Sequence, residues 1–423
     1  MRVFKFGGAS VKDAEAVKNV ASIIHNHDGK LVVVISAMGK VTNALEKVVN
    51  AYFYKKDNVA KCINEVKNYH LNIMQHLFAA NHPVYVTVNN LFVEIEWTVE
   101  ELPRSYSFVY DQIVAIGELV STAIISAYLN DIGIKNEWVD ARSCIQTDNN
   151  YREGNIDWEL TNKLINEITA SIFKQNQIIV TQGFIGGTSE NYTTTLGREG
   201  SDYSAAIFAY CLNAENATIW KDVSGVLNAD PKFFNDAQKL EQISYHDAIE
   251  LSYYGATVIH PKTIKPLENK NIPLYVKSFL KPDSAGTIIG KDLKTKPFIP
   301  SCIFKSNQVL ISIAATDFSF IAEDCLSKIF GVFAKAGCKI NLMQNSAISF
   351  SVCVDNDMFI LPELLTELSK DFRVLYNDNL VLYTIRHYNA FTLEQLTKDR
   401  EILVEQRSRN TAQVVMRAVE TEK

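Results

Sequence analysis

The sequence lacks any cysteine pair spaced as CxxC, and its seven cysteines are scattered along 423 residues. An odd number of dispersed cysteines suits neither a disulfide framework nor a zinc site of common spacing. We therefore expect buried free thiols in a reducing compartment. The eight histidines include His25 and His27 in a loop-like HNHDG stretch. Solvated loop histidines are favoured there, and no metal site is predicted.

An excess of positive charge is lacking as well. Lys plus Arg totals 42 and Asp plus Glu totals 48, so the formal net charge is −6. This balance argues against nucleic acid or an anionic membrane as the main partner. No apolar run approaches the ~20 residues of a membrane span, and the first residues follow a strand pattern, unlike a signal peptide. The sequence predicts a cytoplasmic protein in which local lysines and arginines hold any anion.

Buried strands alternating with helices make up most of the chain. The predicted strands include RVFKF, LVVVISAMG, KNEWVDA, QIIVTQGFIG and ATIWKDVSGV. Near-continuous apolar runs are typical of strands buried on both faces. A long helical stretch is predicted from about Thr42 to Leu129, broken near residues 81–83 and Pro103. This order predicts an α/β fold with a doubly wound, mostly parallel sheet, whose ligands bind at the carboxyl ends of strands.

A Lys/Pro-rich stretch, KDLKTKPFIP at residues 291–300, suits a linker. Beyond it the predicted order is strand VLISIAA, a helix, two strands, a helix and strand RVLYN, which is the ferredoxin-like order, and a further strand LVLYTI follows. We expect a catalytic domain over residues 1–296 and a second region over 299–423. That region would hold one full unit at about 306–377 and a partial second unit at about 378–419.

Two glycine-containing turns point to anion binding. In KFGGAS, Gly7 and Gly8 would let backbone amides approach a phosphate, and Lys5 adds a charge from the preceding strand. In ISAMGKVTN, Ser36 follows a buried strand, and Thr42 or its neighbour is a possible cap of the next helix. Either stretch alone also suits an ordinary tight turn.

Two later stretches add groups for a carboxylate and a nucleotide. TTTLGREGSD places Arg198, Ser201 and Asp202 among glycines just before the predicted helix YSAAIFAYCL. An arginine in such a turn is well placed to bind a carboxylate with two hydrogen bonds. The alternative is a solvated loop in which Asp202 caps the helix. In IWKDVSGVLNADP, Asp222 follows a strand, which suits a nucleotide edge or plain turn chemistry.

Together these stretches resemble the aspartate kinases of the amino-acid kinase family. The motifs that carry the resemblance are KFGGASV at residues 5–11, GELVS at 117–121, TTTLGREGSD at 193–202, WKDVSG at 220–225 and GATVIHP at 255–261. The resemblance implies ATP- and Mg²⁺-dependent phosphorylation of the β-carboxylate of L-aspartate. The product would be 4-phospho-L-aspartate. Its formation would be the first step of the aspartate-derived pathway to lysine, threonine and methionine.

The resemblance also implies roles for individual residues. Lys5 and Asp202 would be catalytic, with Lys5 neutralising the transferred phosphoryl group and Asp202 organising that lysine or the substrate amine. The implied nucleotide-binding residues are Lys5, Gly7, Gly8, Ser36, Lys221 and Asp222. The implied aspartate-binding residues are Thr42, Glu118, Phe184, Arg198 and Ser201. Among them, Arg198 would take the α-carboxylate and Glu118 would face the α-ammonium.

Several positions depart from the family pattern. Glu199 stands where a glycine is usual, which adds a negative charge to the substrate loop. Thr257 replaces the lysine of GAKV, whereas Lys221 introduces a lysine in place of the common threonine. We expect Lys221 to compensate for the lysine missing at Thr257, although a solvated surface lysine is the alternative.

The C-terminal pattern resembles ACT regulatory domains, which in this family pair across subunits and bind an end-product amino acid. The resemblance implies a homodimer or a dimer of dimers. The implied effector residues are Asn341, Gln344, Asn345 and Ser346. Relatives inhibited by lysine commonly carry carboxylates where Asn341 and Ala347 stand, so threonine would fit better than lysine. A purely structural dimerisation unit is the alternative.

Two other functions are compatible with parts of the pattern. One is another amino-acid or acyl-phosphate kinase of the same fold, which should lack GELVS together with two ACT-like units. The other is a catalytically inactive amino-acid sensor that keeps the phosphate site for stability. Retention of Lys5, Arg198 and Asp202 together argues against the sensor.

Overall fold

The computed structural model describes residues 1–55, 57–234, 236–256, 259–317 and 319–419. They group into two compact units. The first contains Met1–Val226, Lys239–Ile249 and Val258–Lys296, and the second contains Leu227–Gln238, Glu250–Thr257 and Pro297–Lys423. The segments 227–238 and 250–257 therefore group with the C-terminal residues, whereas the sequence assigns them to the catalytic domain.

The chain before residue 291 alternates strands and helices. Its elements in chain order are β1 (Arg2–Phe6), α1 (Ala14–His25), β2 (Leu31–Ile35), α2 (Val41–Tyr54), α3 (Val59–Leu77), α4 (Val84–Glu100), α5 (Tyr106–Asp131), β3 (Glu137–Val139), β4 (Gln146–Thr147), α6 (Trp158–Ile172), β5 (Ile178–Gln182), β6 (Ile185–Thr188), β7 (Thr193–Thr195), α7 (Gly200–Cys211), β8 (Asn216–Lys221), β9 (Gln242–Ser244), α8 (Tyr245–Tyr254), α9 (Pro261–Asn269), β10 (Leu274–Ser278) and β11 (Thr287–Gly290).

The first unit is built on an eight-stranded sheet in the order β3-β5-β2-β1-β8-β10-β11-β9. Its neighbouring strands run parallel except for β10 and β11. All five residues of β2, LVVVI, are buried, as expected of a strand covered on both faces. The predicted doubly wound, mostly parallel α/β fold is confirmed. The strands β4, β6 and β7 form a separate three-stranded sheet.

The helix boundaries follow local capping chemistry. Asp13 and Asn58 cap α1 and α3 by accepting hydrogen bonds from backbone N–H groups of the first turns. The predicted long helical stretch is divided into four helices, with a break after Tyr54 in addition to the two expected breaks. The predicted cap at Thr42 is wrong, because α2 begins at Val41 and places Thr42 inside its first turn.

Helix α5 differs from the sequence expectation about apolar runs. It is long and apolar enough to cross a membrane by length and composition alone. However, 78% of its apolar window is buried inside the protein, as in the core helix of a globular domain. Gly117 explains part of this burial. A Cβ there would lie 2.9 Å from Val41 Cγ1 and 3.0 Å from Leu45 Cδ1, so α5 and α2 pack closely.

The elements of the second unit are β12 (Ser301–Ala315), α10 (Glu323–Ala336), β13 (Ile340–Asn345), β14 (Ser349–Asp355), α11 (Leu361–Leu368), β15 (Phe372–Arg386), α12 (Ala390–Thr397), β16 (Ile402–Arg407) and β17 (Thr411–Arg417). Its strands form one six-stranded antiparallel sheet in the order β13-β14-β12-β15-β17-β16. The expected βαββαβ order is present from β12 to β15.

Two strands of this sheet are longer than predicted. The separate strands RVLYN and LVLYTI are one strand, β15, and β12 begins at Ser301, eight residues before the predicted strand at Val309. The partial second unit thus obtains a strand from the start of β12, where Ser301 pairs with Arg386. The pairing of β12 with β15 is irregular between Lys305 and Leu310. This irregularity divides the sheet into two halves, one that contains β13 and β14 and one that contains β16 and β17.

Candidate active site

A cavity of about 790 Å³ lies at the edge of the main sheet where β1, β2, β5 and β8 end. A doubly wound fold is expected to bind ligands at this edge, and the volume suits a small-molecule site. Its lining residues are Lys5, Ser36, Thr42, Tyr110, Glu118, Arg152, Glu153, Phe184, Thr195, Gly197, Arg198, Glu199, Gly200, Ser201, Asp202 and Lys221.

Most site residues predicted from the sequence meet in this cavity. These are Lys5, Ser36, Thr42, Glu118, Phe184, Arg198, Ser201, Asp202 and Lys221. Gly7, Gly8 and Asp222 do not line it in the described structure. Gly7 nevertheless adjoins the site, because a Cβ at Gly7 would lie 3.5 Å from Lys5 Nζ.

A buried carboxylate between two ammonium groups marks one side of the cavity. Lys5 Nζ lies 2.5 Å from Asp202 Oδ1, and Lys221 Nζ lies 3.9 Å from Asp202 Oδ2. Asp202 is 3% exposed and Lys5 is 9% exposed, so this interaction is weakly screened by solvent. The cluster carries one net positive charge and can therefore attract an anion. Lys221 is predicted to compensate for the lysine that is missing at Thr257, and Thr257 lies outside the described residues.

The two predicted glycine turns form one structure beside this cluster. Gly39 N–H donates to Gly8 O at 3.0 Å, and Ser36 N–H donates to Phe6 O at 3.1 Å. A Cβ on Gly8 would lie 2.6 Å from Gly39 O and 2.8 Å from Ala37 O. Only glycine therefore allows these two backbones to approach so closely.

Glu118 is a buried acid that faces the cavity from α5. It is 2% exposed, and no described residue is bonded to its Oε2 atom. Burial raises the pKa of Glu118 to about 8, although a backbone hydrogen bond from Ala37 and the charge of Lys5 act in the opposite direction. A ligand ammonium at this carboxylate would compensate its burial.

Asp111, about two turns of α5 before Glu118, supports the cavity wall without lining it. Its carboxylate accepts hydrogen bonds from Arg152 N at 2.8 Å, Thr195 N at 2.9 Å and Thr195 Oγ1 at 2.8 Å. Burial raises the pKa of Asp111 to about 6, and these hydrogen bonds limit the rise. Asp111 thereby fixes two chain segments that border the cavity.

The start of α7 differs from the sequence prediction. The helix begins at Gly200, not at Tyr203, so Ser201 and Asp202 lie in its first turn, and Asp202 is not the helix cap. Close packing fixes this turn, because a Cβ on Gly183 would lie 2.5 Å from Ser201 Cβ. The backbone N–H of Phe184 donates to Ser204 Oγ at 2.9 Å. The helix start therefore holds Ser201 and Asp202 in place from the side of β5.

Glu199 precedes α7 in the left-handed backbone region, with φ of 54°. Its Oε2 atom accepts a hydrogen bond from the backbone N–H of His260 at 2.8 Å. His260 in turn caps α9 through its side chain. The unusual glutamate in the glycine-rich loop therefore joins this loop to the start of α9.

Several cavity residues were not predicted as site residues. These are Tyr110, Arg152, Glu153, Thr195, Gly197 and Gly200. The motif TTTLGREGSD contains the last three, so the bounds of this motif could have identified them as site residues. Arg152 lies in a polar turn, TDNNYREGN, that carries no recognisable ligand pattern.

Backbone strain is concentrated at the cavity. Apart from Asn and Asp, the described residues with positive φ that are not glycine are Lys55, Arg152, Phe184, Glu199 and His387. Three of them, Arg152, Phe184 and Glu199, line the cavity. Bulky residues in this backbone region are uncommon, and such strain collects at functional sites.

The residues predicted to bind an effector lie in the second unit, on or just after β13. Asn341 already forms three hydrogen bonds: its Oδ1 atom accepts from Lys305 Nζ at 2.8 Å, and its Nδ2 atom donates to Gln308 and Asp355 at 2.9 Å each. Gln344 and Asn345 are exposed. Their exposure leaves these two amides accessible to solvent.

The remaining predicted effector residue, Ser346, is also exposed but has partners within its turn. Its Oγ atom contacts Ser349 Oγ at 2.8 Å and Ser349 O at 3.2 Å. The hydroxyl therefore closes the turn between β13 and β14.

Comparisons with known proteins agree with this geometry. Residues 1–278 match the amino acid kinase family. Lysine-sensitive aspartokinase 3 of Escherichia coli is 28% identical over 392 residues, covering 90% of this chain and 86% of that protein. Aspartokinase 3, chloroplastic, of Arabidopsis thaliana is 32% identical over 381 residues, covering 86% of this chain and 66% of that protein.

Solved structures give the same result. The fold matches E. coli aspartokinase III in complex with aspartate and ADP, with a TM-score of 0.84, 25% identity, and coverage of 99% of this chain and 96% of that chain. The complex of the same enzyme with lysine and aspartate matches with a TM-score of 0.82 and 26% identity, over 98% and 95% of the two chains. The resemblance to aspartate kinases is thus confirmed, and the chain belongs to the amino acid kinase family.

Proposed function

We propose that this protein is an aspartate kinase, which transfers a phosphoryl group from ATP to the β-carboxylate of L-aspartate. The product, 4-phospho-L-aspartate, begins the pathway to lysine, threonine and methionine. The observation that carries the proposal is the single cavity in which the Lys5–Asp202–Lys221 cluster lies together with Glu118 and Arg198. The cluster suits phosphates, and the other two residues suit an amino acid.

The reaction needs charge neutralisation more than proton transfer. The β-carboxylate is ionised at neutral pH and can attack phosphorus without a general base. The obstacle is repulsion between this anion and the phosphates, which positioned cations reduce. We assign this role to Lys5, which the rigid strand β1 holds against Asp202. Lys221, at the end of β8, is assigned to the nucleotide phosphates.

Magnesium fits this site as a companion of the nucleotide. The buried Asp202 carboxylate already contacts two ammonium groups, and the described residues contain no cluster of three or more His, Cys, Asp or Glu side chains for a metal ion. Mg²⁺ commonly binds substrate phosphates with few protein ligands, and it would neutralise phosphate charge there. The chain's own task is to orient the nucleotide with Lys5, Lys221, Ser36 and the glycine turns.

The amino-acid substrate would lie on the other side of the cavity. Arg198 has no described ion-pair partner and is assigned to the α-carboxylate, whereas the buried Glu118 is assigned to the α-ammonium. Thr42, Phe184 and Ser201 complete the wall around it. The arrangement offers an acidic group and a basic group to the two ends of an α-amino acid.

A hydroxylamine assay tests the proposed activity. Enzyme, ATP, Mg²⁺ and hydroxylamine should form a hydroxamate with L-aspartate and far less with L-glutamate. Equal rates with glutamate would assign the chain to another acyl-phosphate kinase. No hydroxamate with either substrate, from folded protein, would support the inactive sensor.

Aspartate binding should strengthen as pH rises towards 8. With its pKa raised to about 8, Glu118 is mostly protonated at neutral pH in the free protein and must ionise to pair with an ammonium. The affinity for aspartate should therefore rise about tenfold per pH unit below this pKa and then level off. Aspartate KM measured between pH 6.5 and 8.5 tests this, and Glu118→Gln should remove the dependence.

The same shift has a consequence for the stability of the free protein. A raised carboxyl pKa stabilises the fold below the unfolded pKa, and this contribution is lost as pH rises through the folded value. The free protein should thus lose stability between about pH 4.5 and 8, and Glu118→Gln should reduce the loss.

A flat pH profile of the aspartate KM in the wild-type protein would contradict the assigned role of Glu118.

We further propose that residues 1–296 form the catalytic domain and 299–423 an ACT-type regulatory region that forms a homodimer or a dimer of dimers. The outer strands of the six-stranded sheet are β13 and β16. Met343 on β13 is 51% exposed, and Ile348 beyond it is 48% exposed. Edge strands with exposed apolar side chains favour pairing with a second copy.

We expect threonine, and not lysine, to act on this region. Lys305 Nζ already lies on Asn341 Oδ1, so the ammonium of a lysine effector would meet a like charge beside the group it needs. The exposed amides of Gln344 and Asn345 can still bind a neutral side chain. Activity and thermal-shift titrations with threonine, lysine and methionine, with glycine as the control, should show an effect of threonine.

Strong inhibition by lysine alone would contradict this assignment. If no amino acid has an effect while sedimentation shows a dimer, the region serves dimerisation only.

A further inference from the structure

Arg152 is a strained residue whose side chain lines the cavity. Its φ is 72°, in the backbone region that favours glycine. In this conformation the backbone N–H of Arg152 donates a part-buried hydrogen bond to Asp111 Oδ2 at 2.8 Å. Strained residues of this kind cluster at active sites and ligand-binding sites.

The guanidinium group of Arg152 is positioned before any ligand binds. Its Cζ atom lies 4.5 Å from the ring centroid of Tyr110 and 5.7 Å from that of Tyr106. Stacking on aromatic rings restricts the side chain and leaves its N–H groups available at the ring edge. No carboxylate of the described chain lies within ion-pair distance of this guanidinium. Burial raises the pKa of the Asp111 carboxyl and the charge of Arg152 acts in the opposite direction, but the preoriented guanidinium forms no ion pair with a described residue.

The surrounding contacts assign Arg152 to the amino-acid side of the cavity. The turn that contains it bonds to the strand before Arg198, since Gly154 N–H donates to Thr195 O at 2.9 Å. Its ring partner Tyr110 lies on α5, the helix that also carries Glu118. The Lys5–Asp202–Lys221 cluster, in contrast, is built on β1, β8 and α7.

We propose that Arg152 is a second guanidinium ligand for the α-carboxylate of the amino-acid substrate, acting together with Arg198. The inference rests on the proposed function and adds a specificity determinant to it. Two guanidinium groups would hold a carboxylate more tightly than its neutral amide, because the amide lacks the negative charge. The enzyme should therefore discriminate against substrates with a blocked α-carboxylate.

The variant Arg152→Gly separates binding from folding. Glycine adopts the observed φ without strain, so the melting temperature should not fall. The aspartate KM should rise by about 10- to 100-fold, with little change in kcat or in the KM for ATP. Arg152→Lys should recover part of the affinity. Arg104→Ala is the matched control, because Arg104 stacks on Phe108 and Tyr192 but does not line the cavity.

L-aspartic acid α-amide supplies a second readout. Arg152→Gly should lower kcat/KM for aspartate through the higher KM, but it should not lower further the already small kcat/KM for the α-amide. An aspartate KM within about twofold of the wild-type value would overturn the proposal. A rise confined to the KM for ATP would also overturn it, because Arg152 would then face the nucleotide.

Equilibrium dialysis with radiolabelled aspartate measures the affinity for the substrate in the absence of turnover. Weaker binding to Arg152→Gly than to wild type supports the proposal, and equal binding overturns it. Failure of wild-type protein to form aspartyl hydroxamate would count against the proposed activity alone. The two hypotheses can therefore fail separately.

Discussion

Replacing Lys5 with alanine is expected to lower kcat by about 10²- to 10³-fold, because one donor aimed at developing charge is typically worth ~3–4 kcal/mol. The KM for aspartate should change far less, since Lys5 is assigned to the phosphoryl group, and the loss of its charge acts on the amino-acid side only by raising the pKa of Glu118 further. Steady-state kinetics of hydroxamate formation measure both constants. The effect should be this large because Lys5 is fixed on a buried strand, 2.5 Å from Asp202.

Loss of Lys5 also leaves Asp202 buried with a single ammonium group 3.9 Å away, so a folding control is needed. Lys5→Met preserves the apolar stem of the side chain and should show the same loss of kcat. Arg2→Ala changes a cation on the same strand that pairs with Glu215 at the surface, and it should remain active. Near-normal kcat in folded Lys5→Met protein would show that another group neutralises the phosphoryl transfer.

Replacing Arg198 with alanine should raise the aspartate KM by about 10- to 100-fold, since hydrogen bonds to a charged group contribute about 1.5–3 kcal/mol. The contact is made equally in the ground state and the transition state, so kcat should change far less. The KM for ATP should remain near its wild-type value. Substrate-saturation curves for both substrates, with Arg104→Ala as the control, measure this effect.

Lys5→Ala and Arg198→Ala should therefore have opposite effects on kcat and KM. Lys5 is assigned to charge that develops during transfer, and Arg198 to charge that the substrate brings with it. If Lys5→Ala changed mainly KM and Arg198→Ala changed mainly kcat, the two roles would have to be exchanged.

The sequence identified the chemistry of the site better than its full outline. Lys5, Arg198 and Asp202 could be predicted because they lie in glycine-containing turns next to strong strand or helix patterns. Arg152 could not, because its importance depends on a left-handed backbone and on ring stacking across the fold. The role of Asp111 could not be predicted either, because its three hydrogen bonds join segments that are distant in sequence.

The second unit shows the same limit for strand lengths. In β15 the residues from Leu375 to Asn379 are exposed, and Asn379 has a positive φ of 53°, so the sequence there is typical of a turn. On β12, Asn307 has a φ of 51° at the matching irregularity. Pairing with β12 up to Asn377, and with both β12 and β17 from Leu380 onwards, continues the strand past this point. Local sequence does not report such tertiary pairing.

The shared strands β12 and β15 have a consequence for how the second unit opens. Each contributes backbone hydrogen bonds to both halves of the six-stranded sheet, and pairs such as Ser301 with Arg386 join distant parts of the chain. Neither half can then exchange its amide protons by separating as an independent foldon, because its neighbour would lose a strand. Pairing across such sequence separation also closes a large loop, which slows folding. A substitution in one half should thus alter hydrogen-exchange protection in the other.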